Sequence, residues 1–270
     1  WIDLFVIRFK TGFFVDISVV SILGIGISWY FHESPKHNVN ISAFYIDSHE
    51  ITQKDFKFIM GRNPSSFKGE YHPVENVTWM EATEYCQKVG KRLPTEAEWE
   101  KAARGKTVTK YYWGNEMESG KANFCDANCL YDWKAKQFND GYVNTAPVGS
   151  YPANNYDLYD MAGNVWEWTA DWYDENYYSN APRVNPKGPS SGSKKVLRGG
   201  SWHRSPDRMR SALRGRGDPT IRSDTFGFRC AYSIMETTLE ALKSLGIEGD
   251  FASAIDPEEL QVTLSSIMPV

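Results

Sequence analysis

The chain has 270 residues, of which 41% are hydrophobic and 24% charged. This excludes disorder and collagen-like repeats, and leaves one large domain or two small ones able to bury a core. Thirty Lys and Arg against 34 Asp and Glu give a net charge of −4, so a polybasic nucleic-acid binder is not expected. The unusual feature is the set of 10 Trp, 15 Tyr and 14 Phe, together with 21 Gly and 13 Pro. It points either to rings packed beneath irregular backbone or to an aromatic recognition surface.

The sequence starts at Trp1 rather than Met, as expected of a fragment or processed form. Residues Gly12 to Phe31 are apolar apart from Asp16, and Arg8 and Lys10 precede them. That length and flank suit a membrane anchor or signal-peptide remnant, which would associate the protein with a membrane. The favoured reading is one or two buried strands, because Val, Ile and Phe dominate and Gly24 and Gly26 break the run.

A short alternating strand is expected at Ala43 to Ile46, then a helix capped by Thr52 and carrying Phe56 and Ile59. Thr78 with Glu81 forms a capping box, and its helix should run to Val89 and stop at Gly90. Thr95 with Glu98 forms a second box, with a stop at Gly105. The link through Lys91 to Pro94 is short, so these two helices are neighbours.

From Lys106 to Gly200 there is no helical pattern, only Gly, Asn, Asp and Pro punctuation among isolated aromatics. So long an irregular stretch needs an organiser, such as metal ions or disulfides. Residues 234–270 contain no Trp or Tyr and carry helical spacing at Met235, Leu239, Leu242 and Leu245. Gly246 ends that helix, and Asp256 caps another with Pro257 at its first position, giving a helical appendage. Cys86, Cys125, Cys129 and Cys230 allow three disulfide pairings. The five His show no metal-binding spacing and are read as structural or solvated.

Five ordered strings carry a resemblance. They are GKRLPTEAEWEKAARG (Gly90 to Gly105), YYWGNE (Tyr111 to Glu116), the run from Asn139 to Tyr173, VLRGGSW (Val196 to Trp202) and GFRCA (Gly227 to Ala231). Together they closely resemble the formylglycine-generating enzymes, or sulfatase-modifying factors, over about residues 36–233. The resemblance implies an α+β fold of low regular secondary structure, a variant of the C-type-lectin fold. Residues 1–35 form a separate apolar segment and residues 234–270 the helical appendage.

Two calcium sites follow from the resemblance. One uses the side chains of Asn123 and Asp140 with the carbonyls of Phe124 and Tyr142; the other matches Asp160, Gly163, Val165 and Glu167. Hard oxygen donors on loops suit calcium and would fix irregular backbone. The resemblance also pairs Cys86 with Cys230, while Cys125 and Cys129 stay unassigned.

The family's enzymes oxidise a substrate cysteine with two copper-binding thiols placed after the RGGS string. Here Arg198 to Arg216 contains no Cys, and Trp202, Pro206 and Asp207 stand roughly where the thiols would be. Copper is therefore not expected, and cysteine-to-formylglycine oxidation is disfavoured. A non-catalytic binding or assembly module is expected, with a ligand surface of Trp202, His203, Arg204, Asp207 and Arg208 for another protein or a peptide segment. The alternative is a divergent metal-dependent oxidoreductase whose ligands come from elsewhere, since His203 alone cannot make a facial triad. Of the eight Arg between Arg198 and Arg229, Arg198, Arg214 and Arg229 are expected to pair with buried carboxylates or carbonyls. A disulfide and calcium loops both suit an extracytoplasmic compartment.

Overall fold

Three threonines start the three helices. In the computed structural model, which describes residues 33–233, helix α1 (Gln53–Met60) is capped by the Thr52 hydroxyl accepting from the Asp55 amide. Helices α2 (Trp79–Lys88) and α3 (Glu96–Arg104) each open on a complete capping box, Thr78 with Glu81 and Thr95 with Glu98. These boxes satisfy amide groups that a helix start otherwise leaves unpaired. Helix α3 ends at Gly105 in the left-handed conformation, and α2 ends one residue before Gly90, at Val89.

The strands are short: β1 (Phe44–Ile46), β2 (Trp166–Trp172), β3 (Lys195–Arg198), β4 (Gly215–Gly217), β5 (Phe226–Gly227) and β6 (Ala231–Ser233). They form a two-stranded sheet, β1-β6, and a four-stranded sheet in the order β4-β3-β2-β5. β2 runs antiparallel to β3 and parallel to β5. β2 and β3 lie within the stretch where the sequence shows only punctuation. Trp166 to Thr169 and all of β3 are buried, so the inside–outside alternation that marks a strand is missing there.

One core cluster gathers Phe56, Val74, Val77, Tyr85, Trp168 and Phe228 between the helices and β2. A second gathers Trp99, Tyr111, Tyr112, Phe124 and Met161 beneath the loops. Two disulfides lock the arrangement. Cys86–Cys230 ties α2 to the start of the last strand, as the resemblance implied, and Cys125–Cys129 closes a four-residue separation that the sequence left open. Arg198, Arg214 and Arg229 are buried on Glu100, Glu96 and Glu167 respectively, which bears out their structural reading. The apolar stretch at residues 12–31 and the appendage from residue 234 both lie outside the described residues. Among the described residues no helix is long and apolar enough to cross a membrane.

Candidate calcium loops and the Trp202 segment

The first candidate loop pair meets at Asn123, which is 1% exposed and bridges to Gly163. Its amide nitrogen donates to the Asn144 carbonyl at 2.8 Å and to Asn164 Oδ1 at 3.1 Å. Its Oδ1 is buried with no hydrogen-bond partner. Asp140 lies alongside, with Oδ2 accepting from the Phe124 amide and Oδ1 from the Tyr142 amide, each at 2.9 Å. Burial, reinforced by the neighbouring Asp126 carboxylate, pushes the Asp140 carboxyl up to about 7. The fold thus joins Phe124 and Tyr142 through the Asp140 carboxylate, and Asn123, next in the chain to Phe124, has an unsatisfied amide oxygen.

The second set surrounds Asp160, which is 2% exposed. Its Oδ2 accepts from the Gly149 amide at 2.6 Å, while its Oδ1 is again buried without a partner. Burial raises this carboxyl to about 6; Arg229 opposes the rise, and Glu167 adds to it. Gly163 donates its amide to the Gly199 carbonyl, and Val165 donates to Glu50 Oε1 at 3.1 Å. Glu167 is engaged on its other side: Arg229 grips both carboxylate oxygens at 2.8 Å and the Trp99 indole donates at 2.7 Å.

Glu50 is a member of this second set that the sequence reading missed. It is fully buried, accepts from Asn164 Nδ2 at 2.6 Å, and is held well above its ordinary value by burial and by Asp160 and Glu167. No local motif marks it, because its partners are more than 100 residues away. Three buried carboxylates therefore face one buried guanidinium, that of Arg229.

Buried polar atoms are normally paired, so two orphaned oxygens in one loop system call for a cause. A hard cation that takes loop carbonyls and amide oxygens fits both positions, and at the second it also fits the local excess of negative charge. Among the described residues no three His, Cys, Asp or Glu side chains converge on one point. The donor sets argued here rest on amide and carbonyl oxygens with one or two carboxylates each, which is calcium chemistry rather than that of zinc or copper.

The segment after β3 carries Trp202, His203, Arg204, Asp207 and Arg208, and Trp202 is not at the surface where it was expected. Trp202 points inward: it is 4% exposed, donates to the Asp224 carbonyl at 3.1 Å, and meets Phe67 edge-on. His203 packs edge-on against Tyr131 and Trp133 at 4.3 and 5.2 Å, and burial lowers its pKa. Arg204 is exposed, and its carbonyl accepts from the Cys125 amide at 2.9 Å. Asp207 accepts from the Ser205 hydroxyl and lies 3.7 Å from Arg208. Burial also lowers the Arg208 guanidinium to about 10, while Asp207 opposes that shift.

Tyr131 and Trp133 join this surface without having been singled out by the sequence. Their rings stack at 4.7 Å, Trp133 is 52% exposed, and its indole donates to the His203 carbonyl. Their signal was local, two aromatics in a short polar loop just after Cys129. All four cysteines are in disulfides. The Cys125–Cys129 bridge leads directly into the aromatic loop.

Three short helices, six short strands and long loops among the described residues make this a mixed α/β domain of low regular secondary structure. The match to the sulfatase-modifying factor enzyme 1-like domain spans residues 10–234, and the chain belongs to that family. It is 46% identical over 167 residues to the formylglycine-generating enzyme of Streptomyces coelicolor, covering 59% of this chain and 52% of that one. It is 39% identical over 266 residues to the mouse formylglycine-generating enzyme, covering 76% and 70%. It is also 40% identical over 168 residues to a mouse protein named inactive C-alpha-formylglycine-generating enzyme 2, covering 60% and 49%. The chain thus spans about half the length of the Streptomyces relative.

Among solved structures, Treponema denticola variable protein 1 superposes with a TM-score of 0.62 at 31% identity, covering 73% of this chain and 86% of that one. PvdO from Pseudomonas aeruginosa gives 0.63 at 27%, covering 74% and 85%.

Proposed function

We propose that this chain is a calcium-stabilised, non-catalytic binding or assembly module of the formylglycine-generating-enzyme family. One observation carries the reading: the segment from Arg198 to Arg216 has no thiol, and all four cysteines are in disulfides outside it. A copper(I) centre of the family's kind takes two soft thiolates, and no side chain in this segment replaces them. Identity does not decide the point, since both enzymes and a relative named inactive match at 40% or more.

The surface offered to a partner is Trp133, Tyr131, His203, Arg204, Asp207 and Arg208, with Trp202 as its buried support. Rigid aromatics beside Arg are the residue types that dominate protein contacts, so the partner is another protein or a peptide segment. Calcium at the two loop systems would satisfy Asn123 Oδ1 and Asp160 Oδ1 and hold the loops that carry this surface. Two disulfides suit an oxidising compartment, which supports a location outside the cytoplasm.

Metal analysis of the purified chain tests the reading. Calcium at one to two equivalents with negligible copper and iron is the expected result. Stoichiometric copper or iron would overturn it in favour of a divergent metal-dependent oxidoreductase.

A further inference from the structure

Between the segment after β1 and helix α2 lies an open cavity of about 270 Å³ lined by Asp47, His49, Asp55, Tyr85, Val89 and Lys91 among others. The proposed function uses none of these residues.

Tyr85 forms part of the wall. Its side chain is 5% exposed, with its ring stacked on Phe56 at 5.6 Å and edge-on to Phe228 at 5.4 Å. Its hydroxyl has no hydrogen-bond partner among the described residues. Burial, with Asp55 and Asp47 adding to it, pushes the phenol up to about 12, and all three residues line the same cavity.

The two carboxylates differ. Asp47 is used up, pairing with Lys91 through Oδ1 and accepting from the Cys230 amide through Oδ2 at 2.9 Å. Asp55 accepts from the Thr52 hydroxyl through Oδ2 at 2.6 Å, and its Oδ1 has no partner among the described residues. His49 places Nδ1 2.8 Å from the Glu50 carbonyl; a carbonyl only accepts, so Nδ1 carries the hydrogen.

The wall thus offers several acceptors, with the solvent-exposed carboxylate of Asp55 at its rim beside Ile51 and Val89. A primary ammonium brings three donors and one positive charge on a short apolar stem. We propose that this cavity binds a small primary alkylamine, its ammonium on Asp55 and Tyr85 and its alkyl stem on Ile51 and Val89. The proposal is independent of whether the chain is catalytic.

Calorimetric titration of the full chain with n-butylamine hydrochloride, and with 1-butanol as the neutral match, tests it. The amine is expected to bind with a dissociation constant on the order of 1 mM, and butanol at least about tenfold more weakly. Asp55→Asn should weaken amine binding at least about fivefold. Tyr85→Phe, which keeps the stacked ring, should weaken it by a smaller factor and serves as the test if Asp55→Asn does not fold. No amine binding at tens of millimolar, equal binding of butanol, or unchanged affinity in the folded variants would overturn the proposal.

Discussion

At Gly163 the backbone turns with φ 86°, and a Cβ would collide with the Asn123 carbonyl. Both facts exclude a side chain, one through strain and the other through space. Gly163→Ala should therefore cost about 3 kcal/mol or more in chemical denaturation; a cost below about 1 kcal/mol would show that the two loops do not meet as described. Glu75 shows a different cost. It is fully buried, one oxygen accepts from the Phe67 amide at 2.8 Å, and the other has no partner.

Burial raises the Glu75 carboxyl from 4.5 to about 7 in the folded chain. Between those values the folded state holds a proton that the unfolded state has released, so this group's contribution to stability falls as pH rises. The stability advantage of Glu75→Gln over the parent should grow by about 1 to 3 kcal/mol from pH 5 to pH 8. Urea melts at the two pH values measure it, and an advantage independent of pH would contradict the assignment.

The helices show which elements can be read locally. Thr52, Thr78 and Thr95 cap where the residue pattern places caps, because a hydroxyl and the amide three residues on are neighbours in sequence. Thr95→Ala should cost about 1 kcal/mol, and thermal melts showing no change would mean the box contributes nothing. Strands β2 and β3 were not legible, because both faces are covered and the alternation that reveals a strand is absent.

The site divides in the same way. Asp140 and Asp160 lie in the string from Asn139 to Tyr173 and Asn123 follows from the resemblance, whereas Glu50 reaches Asn164 and Val165 across 114 and 115 residues and leaves no local trace. The disulfides differ for the same reason of span. Cys86 and Cys230 are 144 residues apart and Cys125 and Cys129 only four. Loop entropy alone gives about 5 kcal/mol for the first and about 2 for the second. Cys86→Ala with Cys230→Ala should lower stability more than Cys125→Ala with Cys129→Ala, and the reverse order in denaturant melts would contradict that account.

On the scale of the whole domain, short strands leave much of the stability to buried ion pairs, disulfides and the loop oxygens. A cation bound only in the folded state adds about 2.7 kcal/mol per site when present at a hundred times its dissociation constant. Calcium removal by a chelator should therefore lower the melting temperature by several degrees, and Asp140→Ala with Asp160→Ala should abolish the difference. An unchanged melt in the parent chain would remove calcium from the account. The aromatic content then divides by position. Trp99, Trp166 and Trp168 are buried core, while Trp133 is held half-exposed at a surface that a disulfide loop keeps in place.

The proposed module keeps the family fold with no Cys in the segment from Arg198 to Arg216. Dissolved-oxygen uptake by the copper-treated chain over a cysteine-containing peptide tests the non-catalytic reading most directly. No uptake above a peptide-and-copper blank is the predicted result. Uptake that depends on the chain and converts the peptide cysteine to an aldehyde would contradict it.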